Sequence, residues 1–259
     1  MDGSSATFSK RSRSLQAAAA EVAGLEWLRA AEAAGGARVV RVLRLEGEEI
    51  ELEHLAGAPA TGQAARRFGA ALARTHDAGA AGFGAPPDGF DGPCFLGRQE
   101  LPTSPGARAW GSFFARDRVL FYLDRAEQRG NVSADEARIV RRAGERIAAG
   151  QFDDDDAPAR LHGDLWNGNV MWTPDGVVLI DPAAHGGHRE TDLAMLDLFG
   201  CPALDEVLAG YEEEHPLRPG WKERVPVHQL HPLAVHAASH GRSYAAPLVR
   251  AAQAVLALP

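Results

Sequence analysis

The distribution of apolar residues predicts a helix followed by two strands near the start of the chain. Residues 15–34 are rich in alanine and leucine, which favour helix, and Gly35 and Gly36 mark its end. Two segments typical of strands follow, Val39 to Leu45 and Glu49 to Leu55, joined across a Glu-Gly-Glu turn. We therefore expect a small unit of one helix and an antiparallel pair of strands.

The rest of the chain is predicted to be mostly helical. Expected helices are 61–78, 107–129, 134–150 and several between residues 190 and 257. Thr61 provides an N-cap and Gly79 a stop for the first of these. The Gly/Pro-rich segment 79–106 is compatible equally with a functional loop and with a plain linker.

Composition narrows the class of protein. The 259 residues include 27 basic and 35 acidic side chains, a formal charge of −8, which argues against nucleic acid as the main partner. Hydrophobic residues make up 45% of the chain, enough for one large domain or two lobes around a cleft. No apolar run approaches the roughly 18 residues of a membrane span. The two cysteines, Cys94 and Cys201, fit a reducing compartment, so we expect a soluble cytoplasmic protein with no membrane partner.

A polar motif at residues 162–169 carries the candidate chemistry. It reads H-G-D-L-W-N-G-N, and I-D-P follows it after a short apolar segment. In kinase catalytic loops an Asp accepts the proton of the acceptor hydroxyl and an Asn five positions later holds a metal ion; a second Asp beyond the next turn holds Mg²⁺ against the ATP phosphates. Asp164, Asn169 and Asp181 supply those groups in that order. The pattern therefore indicates phosphoryl transfer from ATP with Mg²⁺, with a surface loop of chance polar residues as the alternative.

The segment between Asn169 and Asp181 predicts a hairpin. Residues 170–172 and 177–180 have strand-forming side chains, and Thr-Pro-Asp-Gly between them is a turn sequence. Such a hairpin brings Asp181 back beside Asn169. Magnesium prefers a few carboxylate and amide oxygens together with substrate phosphates, which this sparse ligand set offers.

Two other polar groups are interpreted as ordinary loop residues. The acidic run from Asp153 to Asp156 is expected to be a solvated loop, because four adjacent carboxylates cannot converge on one ion. His185 and His188 lie near Asp181, but their spacing matches no strong zinc pattern and no cysteine is nearby.

Five motifs are distinctive when taken together. They are H-G-D-L-W-N-G-N, I-D-P-A, the block G-H-R-E-T-D-L-A-M-L-D-L-F-G from Gly187, the W-x-x-F-F-A-x-x-R that begins at Trp110, and the E-x-x-G-L-x-W-L that begins at Glu21. With these motifs the chain resembles the fructosamine (ketosamine) kinase family, a branch of the protein-kinase-like aminoglycoside and choline phosphotransferases. The H-G-D triplet alone is typical of the whole superfamily, whereas the Trp and the E-T-D-L-A-M block favour the ketosamine branch. The resemblance covers nearly all of the chain.

This resemblance implies an α+β, protein-kinase-like fold with two lobes. Residues 1–56 would form the small, nucleotide-binding lobe and 57–259 a mostly helical catalytic lobe. A full family member begins with two strands and a Gly/Ser-rich loop over the phosphates, and only nine residues precede Lys10 here. We therefore expect a truncated small lobe, either because the start codon is placed too late or because the natural protein lacks this cover.

The resemblance also implies roles for residues outside the metal-binding pair. Lys10 would contact the ATP phosphates and pair with Glu21, although Lys10 in a disordered basic arm is the alternative. Backbone groups of the segment from Glu53 to Leu55 would meet adenine, unless this is an ordinary hairpin end.

In the large lobe, His162 is counted with Asp164 in the catalytic set as the residue that braces the loop. Asp192 would accept hydrogen bonds from the loop backbone; helix capping or core packing is the alternative for both His162 and Asp192. Trp166 would stack on the sugar or on the amino-acid part of the substrate, a buried core position being the alternative.

The implied activity is ATP-dependent phosphorylation of a sugar hydroxyl, in the family the 3-hydroxyl, of a ketosamine such as fructosamine or ribulosamine. The ketosamine would be a small molecule or part of a glycated protein. Two other interpretations remain open at the level of the sequence: a catalytically impaired pseudokinase that acts by binding, and an aminoglycoside- or choline-type phosphotransferase.

Overall fold

A computed structural model describes residues 6–107 and 109–259. Its N-terminal part contains a three-stranded antiparallel sheet in the order β1-β4-β3 with one long helix against it. These elements are β1 (Thr7–Arg11), α1 (Leu15–Arg29), a 3₁₀ turn (Ala30–Ala34), β2 (Arg38–Val39), β3 (Val42–Glu46) and β4 (Glu49–Glu53).

Helix α1 begins and ends where local chemistry dictates. The side chain of Ser14 accepts a hydrogen bond from the backbone N–H of Ala17 at 3.1 Å, which satisfies one of the free donors of the first turn. After the 3₁₀ turn, Gly35 adopts a left-handed φ of 82°, which ends the helical segment as the sequence predicted.

The predicted strand from Val39 to Leu45 is wrong as a single element. Arg38–Val39 pairs in parallel with a strand of the later hairpin, Gly176–Leu179, while Val42–Glu46 pairs with β4. The chain changes sheets at Val40 and Arg41. The N–H of Val40 bonds to Leu179 O at 3.0 Å, so the first part of the segment pairs with a strand about 140 residues away. The local sequence pattern does not indicate a partner at that distance.

The middle of the chain is helical, with one unpredicted hairpin. Helix α2 (Gly62–Asp77) has the predicted Thr61 cap, whose Oγ1 accepts from Ala64 N at 3.2 Å. Within the Gly/Pro-rich segment lie β5 (Cys94–Leu96) and β6 (Gln99–Leu101), an antiparallel pair. The segment therefore contains a β-hairpin and is not a plain linker.

The predicted helix 107–129 consists of three consecutive helical pieces. They are α3 (Trp110–Phe113), a π-helical segment (Phe114–Leu120) and α4 (Phe121–Gln128). Helix α5 (Ala134–Ala148) follows and starts with a reciprocal capping box between Ser133 and Glu136.

The C-terminal half contains the loops of the candidate motif and the remaining helices. Its elements are β7 (Ala159–Leu161), a 3₁₀ turn (Asn167–Asn169), β8 (Val170–Thr173), β9 (Gly176–Leu179), β10 (His185–Gly187), α6 (Glu190–Phe199), α7 (Leu204–Glu214), α8 (Trp221–His240), a 3₁₀ turn (Arg242–Tyr244) and α9 (Ala245–Ala257). The predicted hairpin is present as β8 and β9, and β10 pairs with β7. Among the described helices, none is both long and apolar enough to cross a bilayer.

Two hydrophobic cores position the motif. One is built mainly from the π segment and helices α4, α5, α8 and α9. The other joins α1, the small sheet, α2, α7 and the β8–β9 hairpin, and it includes Leu165, Val170 and Leu179. Apolar residues within the motif and directly after it are thus fixed in one core. The division of the chain at residue 56 stays a prediction, and this second core extends across it.

Candidate active site

The motif begins where β7 ends, at a turn that only glycine fits. Gly163 has φ 80°, and a Cβ there would lie 2.2 Å from Ala183 O, closer than real atoms approach. The N–H of Ala183 bonds to His162 O at 2.9 Å, so the two segments lie side by side. This close approach brings the residues after Asp181 against the start of the motif.

Asp192 holds the loop by its backbone, as predicted. Its carboxylate accepts hydrogen bonds from the N–H groups of His162 at 2.8 Å and Gly163 at 3.0 Å. Burial acts to raise the pKa of Asp192, but hydrogen bonds from His76 and the backbone outweigh it and the pKa is lowered. The carboxylate is therefore ionised and fully engaged.

A buried relay supports Asp192 from behind, and sequence reasoning missed it. His76 Nε2 lies 3.2 Å from Asp192 Oδ2, and His76 Nδ1 lies 2.8 Å from the hydroxyl of Tyr211. Arg189 Nη1 donates to that hydroxyl at 3.1 Å. Helix prediction placed His76 on α2, but no signal in the chain links it to Asp192, 116 positions further on.

His162 braces the loop from within. Its Nε2–H donates to Ile180 O at 2.9 Å, and its Nδ1 accepts from the N–H of Asp164 at 3.3 Å. Burial lowers the pKa of His162, which agrees with a neutral ring in this tautomer. The ring is buried and does not line the cleft, so His162 positions the loop, and its place in the catalytic set stays a prediction.

Asp164 lies at the base of the cleft with an altered acidity. Burial raises the pKa of Asp164 to about 7, against a hydrogen bond from Asn169 Nδ2 at 3.2 Å to its Oδ2 that acts in the opposite direction. A carboxyl group with a pKa near neutrality is suited to accept a proton from a substrate hydroxyl.

Asn169 and Asp181 converge from the two ends of the hairpin. The amide Nδ2 of Asn169 donates to Asp164 O at 2.7 Å and to Asp181 O at 3.3 Å. These bonds orient the amide, and Oδ1 receives no hydrogen bond from any residue the structure describes. Asp181 is in the left-handed region with φ 51°, an unfavourable conformation for a non-glycine residue that tends to occur at functional sites.

Lys10 reaches the cleft from strand β1. Its ammonium lies 2.6 Å from Glu21 Oε1 and also contacts the carboxylate of Asp181. Burial acts to lower the pKa of Lys10, but its two carboxylate partners outweigh burial and raise it. The predicted pair with Glu21 is thus present, and the disordered-arm alternative is wrong because Lys10 is paired with Ile50 in the sheet.

A cavity of about 440 Å³ joins these groups and is named here the cleft cavity. Lys10, Glu21, Asp164, Asn169 and Asp181 all line it. Together these five residues offer one cation, three carboxylates and one amide. These groups fit a nucleotide phosphate with a divalent cation, for which Asn169 and Asp181 would be the protein ligands.

A second cavity of about 640 Å³, named here the adjoining cavity, meets the first at Asp164 and Trp166. Trp166 is 43% exposed, so the alternative of a buried core tryptophan is wrong. The far wall includes His236, Ser239 and Tyr244. A polar and aromatic lining of this kind suits a hydroxylated ligand with an apolar face.

Like His162, the predicted residues Glu53 and Leu55 do not line the cleft cavity. The carboxylate of Glu53 pairs with Arg38 at 3.0 Å and Arg41 at 3.4 Å, since it lies on the strand end beside them. The expectation for this segment concerned backbone contacts with adenine and stays a prediction.

The acidic run is more ordered than expected. Asp154 lies 3.1 Å from His188 Nε2, and Asp156 pairs with Arg189 at 3.1 Å, while Asp155 between them is exposed. Asp154 and Asp156 both approach His188, whose Nε2 lies 3.1 Å from the first carboxylate and 3.8 Å from the second. Both ring nitrogens of His188 have partners, since Nδ1 accepts from the N–H of Glu190.

Comparison with known proteins agrees with this geometry. The model of the fructosamine kinase family matches residues 3–257. A "Probable ketoamine kinase" of Enterococcus faecium is 36% identical over 182 residues, which covers 69% of this chain and 62% of that protein. The aligned region therefore spans less than two thirds of the length of that relative.

Solved structures show the same relationship. A Thermobifida fusca protein assigned as a fructosamine-3-kinase superposes with a TM-score of 0.89 at 41% identity, covering 97% of this chain and 86% of the other. A choline/ethanolamine kinase family protein of Mesorhizobium loti superposes with a TM-score of 0.58 at 18% identity, covering 98% and 83%, and it shows the shared fold alone. The α+β, protein-kinase-like fold expected from the sequence is thereby confirmed, and the chain belongs to the fructosamine kinase family.

Proposed function

We propose that this protein is an ATP-dependent kinase that phosphorylates a sugar hydroxyl of a ketosamine, with the 3-hydroxyl as the acceptor. The observation that carries the proposal is the position of Asp164. It lines both the cavity that fits a nucleotide phosphate and the adjoining cavity, and its pKa of about 7 suits a general base.

The residues that line the cleft cavity divide the work in this proposal, and Asn169 has two tasks. Asp164 accepts the proton of the acceptor hydroxyl while Asn169 fixes its carboxylate. Lys10, held by Glu21, contacts the phosphates, and Asn169 Oδ1 with Asp181 would hold Mg²⁺. The bound cation supplies positive charge against the phosphate oxygens, and the chain contributes mainly positioning.

The acceptor is proposed from the adjoining cavity and from the relatives. Trp166 offers an aromatic face next to Asp164, and His236 and Ser239 offer polar atoms opposite. The relatives' names, ketoamine and fructosamine kinase, agree with a ketosamine in this position. The proposed substrates include both small ketosamines and glycated proteins. The proposed location is the cytoplasm, a reducing compartment in which the two cysteines would stay free.

The other two interpretations have less support. A pseudokinase would be expected to lose one of the reacting groups, whereas Asp164, Asn169 and Asp181 are present and converge. Aminoglycoside and choline phosphotransferases resemble this chain in fold alone, at 18% identity or less.

The test is ketosamine-dependent release of ADP. Purified protein with Mg·ATP is given a fructosamine, a ribulosamine, an aminoglycoside and choline, and the phosphorylated position is determined by NMR. We expect ADP release with a ketosamine and phosphate on the 3-oxygen. The Asp164→Asn variant should lose at least about a hundredfold in rate. Asp175→Asn, in the exposed turn between β8 and β9, is the matched control.

Turnover of choline or an aminoglycoside in preference to every ketosamine would contradict the proposed substrate class. Tight Mg·ATP binding without turnover of any acceptor would favour the pseudokinase instead.

A further inference from the structure

The β5–β6 hairpin separates the two cavities of the site. Gly97 and Arg98 at its tip line both the cleft cavity and the adjoining cavity. Besides these two, Asp164 and Trp166 also line both. A group that passes from one cavity to the other therefore moves between the hairpin tip and Asp164.

The hairpin is fixed at its base. Arg118, fully buried in the π-helical segment, donates from Nη1 to Pro102 O at 2.8 Å, just beyond β6. The hydroxyl of Tyr122 donates to Glu100 O at 2.7 Å. Both anchors belong to the helical core, so the hairpin does not depend on ligand for its position.

The tip is tied separately to the segment that follows β1. Arg13 Nη1 donates to Arg98 O at 2.7 Å, and the Arg13 guanidinium lies 4.3 Å from the ring centre of Phe95. Arg13 thus links the hairpin tip to the chain segment that carries Lys10. The hydrogen bond from Arg13 uses the backbone carbonyl of Arg98, so the Arg98 guanidinium remains available for a ligand.

Charge distribution singles out Arg98 among the cations of the cleft cavity. Lys10 is neutralised by Glu21 and Asp181, and Arg13 is engaged with the hairpin. Arg98 is exposed, and no carboxylate within the described part of the chain pairs with its guanidinium. It is an available cation at the junction of donor and acceptor.

We propose that the Arg98 guanidinium contacts the transferring phosphoryl group and neutralises the charge that develops on its oxygens, and that Arg13 positions it. The proposal rests on the kinase function proposed above. Preorganised cations of this kind stabilise phosphoryl transfer strongly because the charge spreads over the equatorial oxygens.

The step balances as follows. Asp164 takes the proton of the acceptor hydroxyl, whose oxygen forms a bond to the γ-phosphorus. The bond from that phosphorus to the bridging oxygen breaks, and ADP leaves with its electron pair. Arg98 gains and loses no proton and contributes hydrogen bonds and charge alone.

The test compares Arg98→Ala, Arg98→Lys and Arg13→Ala with a matched control, Arg44→Ala. Arg44 lies on the outer strand β3, pairs with Glu46 and Glu51, and lines neither cavity. Two measurements are made: kcat and KM for ATP and ketosamine, and the calorimetric affinity for Mg·ADP with and without aluminium fluoride, a mimic of the phosphoryl group in transit.

For Arg98→Ala we expect kcat to fall about a hundredfold with both KM values within about threefold. Affinity for Mg·ADP with aluminium fluoride should fall by a similar factor while affinity for Mg·ADP alone is unchanged. Added guanidinium should restore part of the rate in Arg98→Ala, and Lys should retain part of it. Arg13→Ala should lose roughly tenfold in kcat without rescue, as expected for a positioning residue.

An unchanged kcat in Arg98→Ala, or a rise in the ketosamine KM alone, would overturn the proposal and assign Arg98 to acceptor binding. Unchanged affinity for the aluminium fluoride complex would overturn it as well. If the wild-type protein released no ADP with any ketosamine, the proposed function would fail, yet the aluminium fluoride measurement needs no acceptor and would still decide the role of Arg98.

Discussion

At the scale of single residues, the acidity of Asp164 is the property most open to measurement. Burial raises the pKa of its carboxyl to about 7, so this proposed base is ionised only toward neutral and higher pH. Mg²⁺ bound nearby would lower that pKa, because a cation favours the ionised carboxylate. We predict an acid limb in the pH profile of kcat/KM with slope one and an apparent pKa at or below about 7. A profile flat down to about pH 4, the ordinary pKa of an aspartate, would show that Asp164 is not the titrating base.

The same shift makes a prediction about stability. Because the folded-state pKa is raised, the folded protein binds a proton that the unfolded chain has lost between pH 4 and 7, so stability falls as pH rises through this range. Asp164→Asn keeps a neutral group at every pH. The variant should match wild type near pH 4 and exceed it by on the order of 2 kcal/mol at pH 8 in metal-free buffer.

Urea unfolding of both proteins at several pH values measures this difference. Asp175→Asn, an exposed carboxylate, should show no such trend. A gain that is the same at pH 4 and pH 8 would mean that the buried charge is not its source.

Asp181, the proposed metal ligand in contact with Lys10, also has a strained backbone. Asp181→Ala should abolish Mg²⁺-dependent binding of ATP, because it removes a carboxylate ligand. Asp181→Gly should do the same and, unlike Ala, relieve the left-handed φ of 51°, so it should be the more stable of the two by about 1 kcal/mol. Titration calorimetry with Mg·ATP and thermal unfolding give the two readouts. Retained Mg·ATP affinity in either variant would exclude Asp181 as a ligand.

At the scale of elements, the loop depends on how closely helices α2 and α7 approach. A Cβ at Gly210 would lie 1.9 Å from Arg66 O, so any larger residue must push the helices apart. Gly210 precedes Tyr211, which bonds to His76 behind Asp192. We predict that Gly210→Ala destabilises the fold by about 1 to 3 kcal/mol and lowers kcat although it lies outside both cavities.

Gly62→Ala is the control on the same pair of helices. A Cβ there meets its nearest neighbour, Glu206 Cγ, at 3.5 Å, an ordinary contact. It should leave both stability and rate near wild type. Equal behaviour of the two variants in urea unfolding would contradict the close-approach argument.

The elements also show what the sequence could and could not predict. The 162–169 motif and the β8–β9 hairpin lie within twenty consecutive residues, so the local sequence pattern was sufficient to predict both. The β2–β9 pairing and the His76–Asp192 contact join distant segments whose polar or apolar character fits many partners. The β5–β6 hairpin was hidden because its three-residue strands lie among Gly and Pro, where period-two alternation is too short to detect.

At the scale of the whole molecule, one ion pair links two distant parts of the chain inside the cleft. Lys10 belongs to the N-terminal sheet and Asp181 to the segment after the β8–β9 hairpin, and their side chains are in contact. A cation that seeks Asp181 has to compete with Lys10 for it.

This contact makes the binding of metal and nucleotide thermodynamically interdependent. Phosphates give Lys10 another partner and free Asp181, so each ligand should raise the affinity of the other by a common factor, in the range of about 5 to 150. Lys10→Met should bind Mg²⁺ alone more tightly than wild type, bind Mg·ATP more weakly, and bring that factor close to one. Lys222→Met, which changes the other lysine of the chain, is the control and should leave the coupling factor unchanged. Calorimetric titration of each ligand with and without the other measures the factor, and no difference between the two variants would contradict the competition. By holding Asp181 in the absence of phosphate, Lys10 would make the protein selective for metal that arrives together with a nucleotide over the free cation around it.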